Sequence, residues 1–400
     1  MHIGMRPANC FVLVAALVSV TYAAYTPSVT PPLMRAAALR RSRAPMAGAL
    51  LPAGQSHFLH VDDLTAKEFR TIMENAKAIK ALVTSGDLKG YAPMRGKTMA
   101  MIFAKPALRT RISFESGFYR LGGHSMVLGE EIGIGKREAT KDISRVVASM
   151  NDCMMARLFA HKDILELAEY SSIPVINGLT DFNHPCQIVA DALTVEEVLG
   201  PIEGKKIVYV GDGNNIVHSW LELACIVPFD FVCVCPAGYE PNAELMARVN
   251  ARGVGTATVV NDPIAGVKGA DVIYSDKWAS MGQEAEAAAR AKVFAPFQVN
   301  EALMAATGKP STIFLHCLPA ERGKETTDGV MESPQSHVFR QAENRMHAQN
   351  AIMVHCLGCA RPGEAAAPAQ KKQAYVQSDG QVGRQPRALG SSFNRLSNGS

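Results

Sequence analysis

From His60 onward the chain alternates short apolar runs with stretches of helical periodicity, and this alternation limits the folds open to it. Strands that alternate with helices form parallel sheets with crossover helices. The strands are predicted at 98–103, 125–128, 153–159, 173–176, 206–210, 231–235, 257–260, 271–275 and 312–316. Because the scheme restarts after Pro201–Gly204, we predict an α/β fold of two domains, 51–198 and 199–339, each a mostly parallel sheet flanked by helices.

Helical patterns lie between the first strands at 109–121, 137–150, 161–171 and 185–198. A further amphipathic helix is expected to begin at Asp62-Asp63-Leu64, where acidic side chains stabilise the positive end of a helix, and to continue to about Val83. A length of 400 residues is sufficient for two domains with a substantial core. The composition, 48% hydrophobic and 20% charged, is typical of a globular protein.

The net charge of +4 is distributed unevenly along the chain. Residues 1–50 contain five Arg and no acid, and residues 359–400 are also basic, so the body between them carries an excess of acidic groups. We therefore expect neither a nucleic-acid partner nor an anionic membrane surface as partner.

The first 50 residues are typical of a targeting presequence. The apolar run Cys10–Val20 precedes a small-x-small cleavage pattern at 21–23 and is too short to span a bilayer comfortably. Residues 25–51 are rich in Ala, Ser, Thr, Pro and Arg and lack acids, as in transit peptides. Since this two-part arrangement resembles the presequences of plastids derived from an engulfed alga, we predict a plastid location, with the mitochondrion as the alternative. Residues 359–400 have the composition of a disordered tail.

The nine cysteines have no regular spacing, which favours free thiols in a reducing compartment over a disulfide framework. Cys356 and Cys359 form a CxxC without a second Cys or His pair, so no zinc site is expected there. The sequence also contains no HExxH, GxSxG or Walker loop, and metal or serine-hydrolase chemistry therefore has no support.

Polar residues gather where predicted strands end and helices begin, which is where open α/β sheets bind ligands. Arg109, Thr110 and Arg111 flank a helix start after the strand 98–103. Backbone N–H groups and guanidinium groups together suit an oxyanion or phosphate, although an exposed basic first turn is the alternative. Arg157 closes another strand, either as a site residue or as a structural ion-pair partner.

A second polar segment of the first half is Asp-Phe-Asn-His-Pro-Cys-Gln at 181–187. Pro185 suits the first position of a helix. His184 and Gln187 are three residues apart and share a helix face, so both can donate to one oxygen atom.

The second half contains a segment that begins like a dinucleotide fingerprint, Val210–Ile216. Ile216 occupies the third glycine position, and Cys235-Pro236 stands where a ribose-binding acid is expected, so NAD binding is disfavoured. Asn214 and Asn215 are then available to face another ligand.

Two further motifs follow later strands of the second half. Asp276 and Ser280 offer a carboxylate and a hydroxyl, which suit an ammonium group. Cys317 follows the last strand, at 316–320, either as a site thiol or as an inert buried one.

In this order, the six motifs resemble those of the aspartate/ornithine carbamoyltransferase family, from about His57 to Gly358. Asp-Lys-Trp-Ala-Ser-Met-Gly at 276–282 and His-Cys-Leu-Pro at 316–319 are similar to the ornithine branch in its plant and plastid forms, and the aspartate enzymes lack this pair. The resemblance implies a first domain that binds carbamoyl phosphate, a second that binds ornithine, and a last helix at about 340–358 that returns to the first domain.

The same resemblance implies roles for individual residues. Arg157, His184 and Cys317 would be catalytic. Carbamoyl phosphate would contact Ala107, Leu108, Arg109, Thr110, Arg157, His184, Gln187, Cys317, Leu318 and Arg345, with His124 lent by a neighbouring subunit of a homotrimer. Ornithine would contact Asn215, Asp276, Ser280 and Met281.

The implied reaction transfers the carbamoyl group to the δ-amine of L-ornithine and gives L-citrulline and phosphate, a step of arginine biosynthesis and of the urea cycle. Arg157, His184 and Thr110 would stabilise the oxygen that gains negative charge when the neutral amine attacks. Because carbamoyl phosphate is already activated, neither a metal nor an organic cofactor is expected.

The chain departs from the family pattern at Ala107, where a Ser usually contacts phosphate and caps the helix, so weaker binding of carbamoyl phosphate is expected. Two alternatives stay open: a transcarbamylase for another amine, such as putrescine or acetylornithine, and a transcarbamylase-like subunit without turnover. Asp276, Ser280 and Met281 argue against putrescine, which lacks an α-carboxylate and an α-ammonium group. Only Ala107 supports the inactive subunit.

Overall fold

The computed structural model describes residues 51–88, 90–279 and 286–364. The predicted presequence and residues 365–400 of the predicted tail lie outside the described residues. Of the helices in these described ranges, none is both long and apolar enough to cross a bilayer.

In the described chain the first half forms a parallel sheet with the strand order β2-β1-β3-β4. The strands are β1 (Thr98–Phe103), β2 (His124–Leu128), β3 (Cys153–Arg157) and β4 (Val175–Leu179). The helices of this half are α1 (Ala66–Ser85), α2 (Leu108–Arg120), α3 (Thr140–Met150), α4 (His161–Glu169) and α5 (Pro185–Leu199). The strand order reverses between β1 and β3, so their carboxyl ends border a crevice of the kind that binds ligands.

The second half, within the described ranges, forms a parallel sheet with the order β7-β6-β5-β8-β9. Its strands are β5 (Lys206–Val210), β6 (Asp230–Val234), β7 (Thr256–Val260), β8 (Val272–Ser275) and β9 (Ile313–His316). Its helices are α6 (Asn215–Ala224), α7 (Ala243–Arg252), α8 (Pro263–Val267), α9 (Ala287–Phe294), α10 (Glu301–Ala306) and α11 (Asp328–Met331). Here the order reverses between β5 and β8, which creates a second crevice.

The last described helix, α12 (Val338–Cys356), returns to the first half and packs against α1, α2 and α5. Most of its side chains are buried, and Ala348, Ala351 and Ile352 belong to the same core cluster as Phe114 and Leu193. The predicted fold class, including the returning helix, is thereby confirmed. The exact domain boundaries remain predictions.

The predicted start of the first long helix is wrong. Asp62 and Asp63 belong to a separate 3₁₀ turn, Val61–Asp63, and α1 begins at Ala66. The Thr65 hydroxyl accepts from the Glu68 N–H at 3.2 Å, and the Glu68 carboxylate accepts from the Thr65 N–H at 2.8 Å. This capping box satisfies N–H groups that the acids at 62 and 63 do not reach, and it therefore fixes the start of the helix.

The predicted fourth strand, 173–176, is displaced from the observed β4, which continues through Asn177. The buried Asn177 amide donates to Leu59 O at 3.0 Å and to Asn183 Oδ1 at 2.6 Å. These bonds offset the cost of burying the amide, so the strand continues through Asn177. The apolar sequence pattern ends just before this residue, and the predicted strand ends there for that reason.

Candidate active site

Thr110 lies among cationic side chains at the carboxyl ends of β1 and β3. It belongs to the first turn of α2, and Arg157 ends β3 in register with Phe103 at the end of β1. The Thr110 hydroxyl oxygen accepts from Arg345 Nη2 at 3.1 Å and from Arg157 Nη1 at 3.4 Å. Since two guanidinium groups donate to this oxygen, its proton is left to donate to a ligand.

The start of α5 brings His184 and Gln187 to the same cluster. Gln187 Oε1 accepts from Arg345 Nη1 at 2.6 Å, and Gln187 Nε2 donates to Asp191 Oδ1 at 2.8 Å. His184 is buried, and its Nδ1 makes no hydrogen bond to the residues that the structure describes. A buried polar atom without such a partner marks a position suited to a ligand.

Burial and mutual repulsion shift the pKa values of this cluster. Burial lowers the pKa of Arg157 to about 10, and the positive charges of Arg345 and Arg109 contribute to this decrease. Burial and the charge of Arg157 lower the pKa of Lys105 to about 8. The pKa of His184 falls well below its ordinary value because the ring is buried and faces Arg345 and Arg157. The imidazole is thus neutral, and the concentrated positive charge favours an anionic ligand.

Asp276 and Cys317 follow β8 and β9 at the edge of the second sheet. The Cys317 thiol donates to Asp276 Oδ1 at 3.0 Å, and Asn214 Nδ2 donates to Asp276 Oδ2 at 2.9 Å. Burial, and then the charge of Asp276, raise the pKa of Cys317 well above its ordinary value. The thiol is therefore a neutral donor that orients a carboxylate, and a thiolate nucleophile is disfavoured.

Arg109 links the two clusters electrostatically. Burial lowers the pKa of its guanidinium group, and the charge of the Asp276 carboxylate opposes that effect. The cationic crevice of the first sheet therefore lies near the acidic crevice of the second sheet. An anionic substrate in the first crevice and a cationic group in the second would be close together.

Buried amides connect the two clusters through α12. Gln341 Nε2 donates to Asp191 Oδ1 at 2.7 Å, and Gln341 Oε1 accepts from the His316 N–H at 2.9 Å. Leu318, with a φ of 56°, donates its N–H to His316 Nδ1 at 2.9 Å. The left-handed backbone of Leu318 is therefore held by the same network that reaches Gln187.

Three residues predicted to contact carbamoyl phosphate lie at the periphery. Ala107 is the N-cap of α2 and offers no side-chain bond to the helix, as the missing hydroxyl predicts. The Leu108 side chain is 69% exposed. His124 begins β2 with an exposed side chain, so a role for it depends on another subunit.

Of the predicted ornithine ligands, the structure describes Asp276 and Asn215. Asp276 lies in the cluster described above, whereas Asn215 Nδ2 donates to the backbone oxygen of Thr180 at 2.7 Å. Ser280 and Met281 lie outside the described residues.

Several residues of this network did not emerge from the sequence. They are Lys105, Asp191 and Gln341, together with Ser219, which accepts from the His184 N–H at 2.7 Å, and Glu222, which accepts from Asn183 Nδ2 at 3.0 Å. A detectable signal existed for three of them, because Asp191, Ser219 and Glu222 are polar residues at i+4 or i+7 from a predicted site residue in mostly apolar helices.

Two groups of potential metal ligands occur among the described residues, Asp276 with His316 and Cys317, and His60 with Asp62 and Glu222. In the first, the thiol already donates to the carboxylate. In the second, Glu222 accepts from His60 at 2.7 Å and Asp62 pairs with two Arg side chains. In each group at least two of the three side chains are therefore already engaged by partners within the protein.

Comparison with known proteins places both halves in one family. Residues 56–197 match the model of the aspartate/ornithine carbamoyltransferase carbamoyl-P binding domain, and residues 203–356 match that of the Asp/Orn binding domain. The chloroplastic ornithine carbamoyltransferase of Pisum sativum is 55% identical over 330 residues, which is 81% of this chain and 88% of that protein.

Solved structures give the same assignment. The structure titled ornithine carbamoyltransferase from Pyrococcus furiosus has a TM-score of 0.72 and 46% identity, and the match covers 78% of this chain and 99% of that one. A mitochondrial ornithine carbamoyltransferase from Coccidioides immitis has a TM-score of 0.69 and 35% identity, covering 76% of this chain and 98% of that one. The resemblance seen in the sequence motifs is confirmed: this chain belongs to the aspartate/ornithine carbamoyltransferase family.

Proposed function

We propose that this chain transfers the carbamoyl group of carbamoyl phosphate to the δ-amine of L-ornithine, giving L-citrulline and phosphate. The observation that carries this function is the pairing of a cationic crevice around Thr110 with an acidic crevice at Asp276. One suits a phosphorylated substrate and the other an amino acid's ammonium group. The names of the relatives, at up to 55% identity across most of the chain, support ornithine as the amine.

In the carbamoyl-phosphate half, the phosphate would contact the segment from Ala107 to Arg109, at the start of α2. Backbone N–H groups of a helix start and the Arg109 guanidinium both favour a bound phosphate. Thr110, Arg157 and neutral His184 would donate to the carbamoyl oxygen. The amino group of carbamoyl phosphate would donate to Gln187 Oε1. This oxygen points away from Asp191, because Gln187 Nε2 donates to the Asp191 carboxylate.

Arg345 and the Cys317–Leu318 corner would complete this half from α12 and from the end of β9. In the ornithine half, Asp276 and Ser280 would bind the α-ammonium group, Asn215 the carboxylate, and Met281 the aliphatic chain. The geometry of Asp276 supports its proposed role as a ligand of the ammonium group, because Cys317 and Asn214 each donate to one of its two carboxylate oxygens and so orient them.

The chemistry follows from donors that are fixed before the reaction begins. When the neutral δ-amine attacks the carbamoyl carbon, negative charge develops on the carbamoyl oxygen. Thr110, Arg157 and His184 would stabilise that charge without reorganisation, and phosphate would depart toward the Arg side chains. His184 acts here as a hydrogen-bond donor, since its pKa lies too low for it to supply a proton as an acid.

The direct test is citrulline formation by the purified protein with carbamoyl phosphate and ornithine, beside putrescine and acetylornithine. Arg157→Gln should lower kcat by roughly a hundredfold to a thousandfold, because one oxyanion donor is lost. Arg145→Gln is the matched control and should keep wild-type turnover, because the partly exposed Arg145 side chain of α3 pairs with the neighbouring Asp142. Preference for another amine would contradict the assignment of ornithine, and absence of turnover with every amine would favour the inactive subunit.

The pH profile supplies an independent test. Free ornithine carries a mostly protonated δ-amine at neutral pH, because such amines have a pKa of about 10. We therefore expect kcat/KM for ornithine to rise between pH 7 and pH 9. A flat profile over that range would show that deprotonation of the amine does not limit the reaction.

We further propose a homotrimer in which His124 of one subunit reaches the site of the next. The support is an exposed apolar face on α2, where Leu108, Ile112 and Tyr119 are 69%, 55% and 77% exposed. The adjacent edge strand β2 begins with the exposed His124 and also leaves Met126 exposed. Exposed apolar patches of this kind mark interfaces between protein subunits.

The plastid is the proposed location. Its support is the composition of residues 1–50 and the chloroplastic relative from Pisum sativum. A fusion of residues 1–55 to a fluorescent protein should therefore accumulate in plastids of an algal host. Mitochondrial fluorescence would favour the alternative location.

A further inference from the structure

One face of α6 contacts a loop of the opposite half of the chain at four points. The face consists of Asn215, His218, Ser219 and Glu222, at helix positions i, i+3, i+4 and i+7. We term this set the α6 stripe and residues 180–184 the 180–184 loop. The stripe is polar on a helix that is otherwise mostly apolar and buried, and the loop ends at His184.

Three of the contacts reach the backbone of the loop and therefore fix its course whatever its side chains do. These are Asn215 Nδ2 to Thr180 O at 2.7 Å, His218 Nδ1 to Phe182 O at 2.8 Å, and the His184 N–H to Ser219 Oγ at 2.7 Å. Each bond joins the ornithine half to the carbamoyl-phosphate half.

The fourth contact uses the fully buried carboxylate of Glu222. Its Oε1 accepts from Asn183 Nδ2 at 3.0 Å and from His60 Nδ1 at 2.7 Å, and its Oε2 accepts from the Val61 N–H at 3.0 Å. A buried carboxylate needs such donors to offset the loss of its hydration. Glu222 therefore ties both the 180–184 loop and the segment before α1 to α6.

The backbone bond matters because the buried His184 ring makes few polar contacts with the described residues that could fix its direction. The residue is the N-cap of α5, yet its side chain makes no cap bond, and its Nδ1 has no partner among the described residues. The position from which the ring projects depends on the course of its backbone, whose N–H is bound by Ser219. A donor stabilises developing charge only when it is aimed at that charge beforehand.

We propose that Ser219 and Glu222 are positioning residues for carbamoyl transfer, through which α6 of the ornithine half orients His184 of the carbamoyl-phosphate half. The inference rests on the function proposed above. In that assignment Ser219 and Glu222 touch neither substrate and act through the 180–184 loop. Asn215 belongs to the same stripe, so recognition of the amino acid and placement of His184 share one helix face.

This arrangement predicts an unusual distribution of kinetic effects. A purely structural defect in α6 should weaken the ornithine half, to which the helix belongs, and raise KM for ornithine. A positioning role predicts the opposite pattern. Loss of Ser219 or Glu222 should lower kcat and kcat/KM for carbamoyl phosphate, while KM for ornithine stays within twofold of the wild type.

Ser219→Ala is the first variant, and Ser144→Ala is its matched control. Ser144 is also a fully buried helical serine, and its hydroxyl donates to Leu167 O at 2.6 Å between α3 and α4, within the first half. Both variants lose one buried hydroxyl and should show similar decreases in Tm. Only Ser219→Ala should lower kcat/KM for carbamoyl phosphate, by about tenfold for one misplaced hydrogen bond. Ser219→Thr, which keeps the hydroxyl, should recover most of that loss.

Glu222→Gln provides a second and independent variant. The amide has the same shape, but its –NH₂ group must face either the Val61 N–H or the Asn183 amide, both of which are donors. Glu196→Gln is the control, because Glu196 pairs with Arg70 and Lys77 of α1 and does not contact the loop. We expect Glu222→Gln to reproduce the kinetic pattern of Ser219→Ala, and Glu196→Gln to change Tm without it. If Ser219→Ala does not fold, Glu222→Gln carries the test.

The possible results separate this inference from the proposed function. A wild-type protein that forms no citrulline would overturn the proposed function itself. An active wild type with unchanged kcat/KM for carbamoyl phosphate in Ser219→Ala and Glu222→Gln would overturn the positioning role alone. A rise in KM for ornithine, with no effect on carbamoyl phosphate, would likewise reduce the stripe to a structural feature of the second half.

Discussion

Ala107 occupies the N-cap of α2 with an extended backbone, φ −158° and ψ 90°, and no side-chain bond to the helix. Ala107→Ser should restore a cap worth about 1 kcal/mol and add a donor toward phosphate worth roughly 1.5–3 kcal/mol. We therefore expect a lower KM for carbamoyl phosphate and a higher Tm. Initial rates at varied carbamoyl phosphate and a thermal melt measure both effects.

Ala139→Ser is the control for this substitution. Ala139 is the N-cap of α3, also with a backbone in the extended region (φ −64°, ψ 134°) and no cap bond. A serine there should raise Tm without changing KM for carbamoyl phosphate. If KM stays the same in Ala107→Ser as well, the missing hydroxyl has no bearing on phosphate binding.

Asp191 predicts how stability depends on pH. Burial raises its pKa to about 7, although Gln187 and Gln341 donate to it. In the unfolded chain its pKa is about 4, so the folded state binds the proton more tightly. Its contribution to stability is therefore fully present below about pH 4 and is lost as pH rises toward 7.

Asp191→Asn should remove this pH dependence while keeping an oxygen for both glutamines. From pH 5 to pH 7 the Tm of the wild type should fall relative to the Tm of Asp191→Asn. Above that pH the difference between the two Tm values should stay constant. A difference that does not change with pH would show that Asp191 has an ordinary pKa. Asp271→Asn, on a partly exposed carboxylate paired with Lys309, serves as the comparison.

At this scale the sequence identifies residues that stand at strand ends, because polar side chains at those junctions break the apolar pattern. Thr110 and Arg157 are proposed in this way, whereas Arg345, on the last helix, is implied only by the family resemblance. The structure brings the three side chains into contact. Ser219 and Glu222 could not be assigned in this way. Their partners depend on which loop docks against α6, and that is a property of tertiary packing.

Among the elements, α2 and α12 approach closely at Gly117. A Cβ at this position would overlap the Asn350 side-chain oxygen and lie 3.3 Å from Met346 Cγ. Gly117→Ala should therefore force the buried Asn350 side chain to move, lower Tm and, because Arg345 lies on the same helix beside Met346, raise KM for carbamoyl phosphate. Thermal melts and initial rates test both effects.

The corresponding control is Gly90→Ala, where nothing lies within 4 Å of the added Cβ. It should leave both Tm and KM close to the wild type. If Gly117→Ala has wild-type Tm and KM, the Asn350 side chain can move aside without cost, and the close approach at Gly117 does not hold Arg345 in place.

Strands and helices were predictable where burial follows the sequence pattern. Strands 98–103 and 206–210 are observed with the predicted bounds, as β1 and β5. The start of α1 and the position of β4 were wrong because hydrogen bonds decided them: a capping box at Thr65 in one case, and a satisfied buried Asn177 in the other. Hydropathy alone does not register such bonds.

At the scale of the whole molecule, the exposed face of α2 predicts association between subunits. Replacing Ile112 and Tyr119 with Glu should place charge in that interface and convert a trimer to monomers. Light scattering after size-exclusion chromatography should give about three times the subunit mass of 42.9 kDa for the wild type and the subunit mass for the variant.

Activity should fall together with the mass if His124 acts across the interface. Ile264→Glu is the control, because Ile264 is 50% exposed on α8 of the second half and should not affect assembly. A wild type with the mass of a single subunit would rule out the trimer. A monomeric variant with full turnover would rule out the role of His124 from a neighbouring subunit.

The return of α12 to the first half also determines when the protein can be completed during its synthesis. The ribosome delivers α1, α2 and α5 long before α12, so their apolar faces stay uncovered until the end of the body emerges. A chain released before Val338 lacks both this cover and Arg345. Premature termination would therefore give an aggregation-prone, inactive body, and the final stretch of translation finishes the core and the anion-binding crevice together.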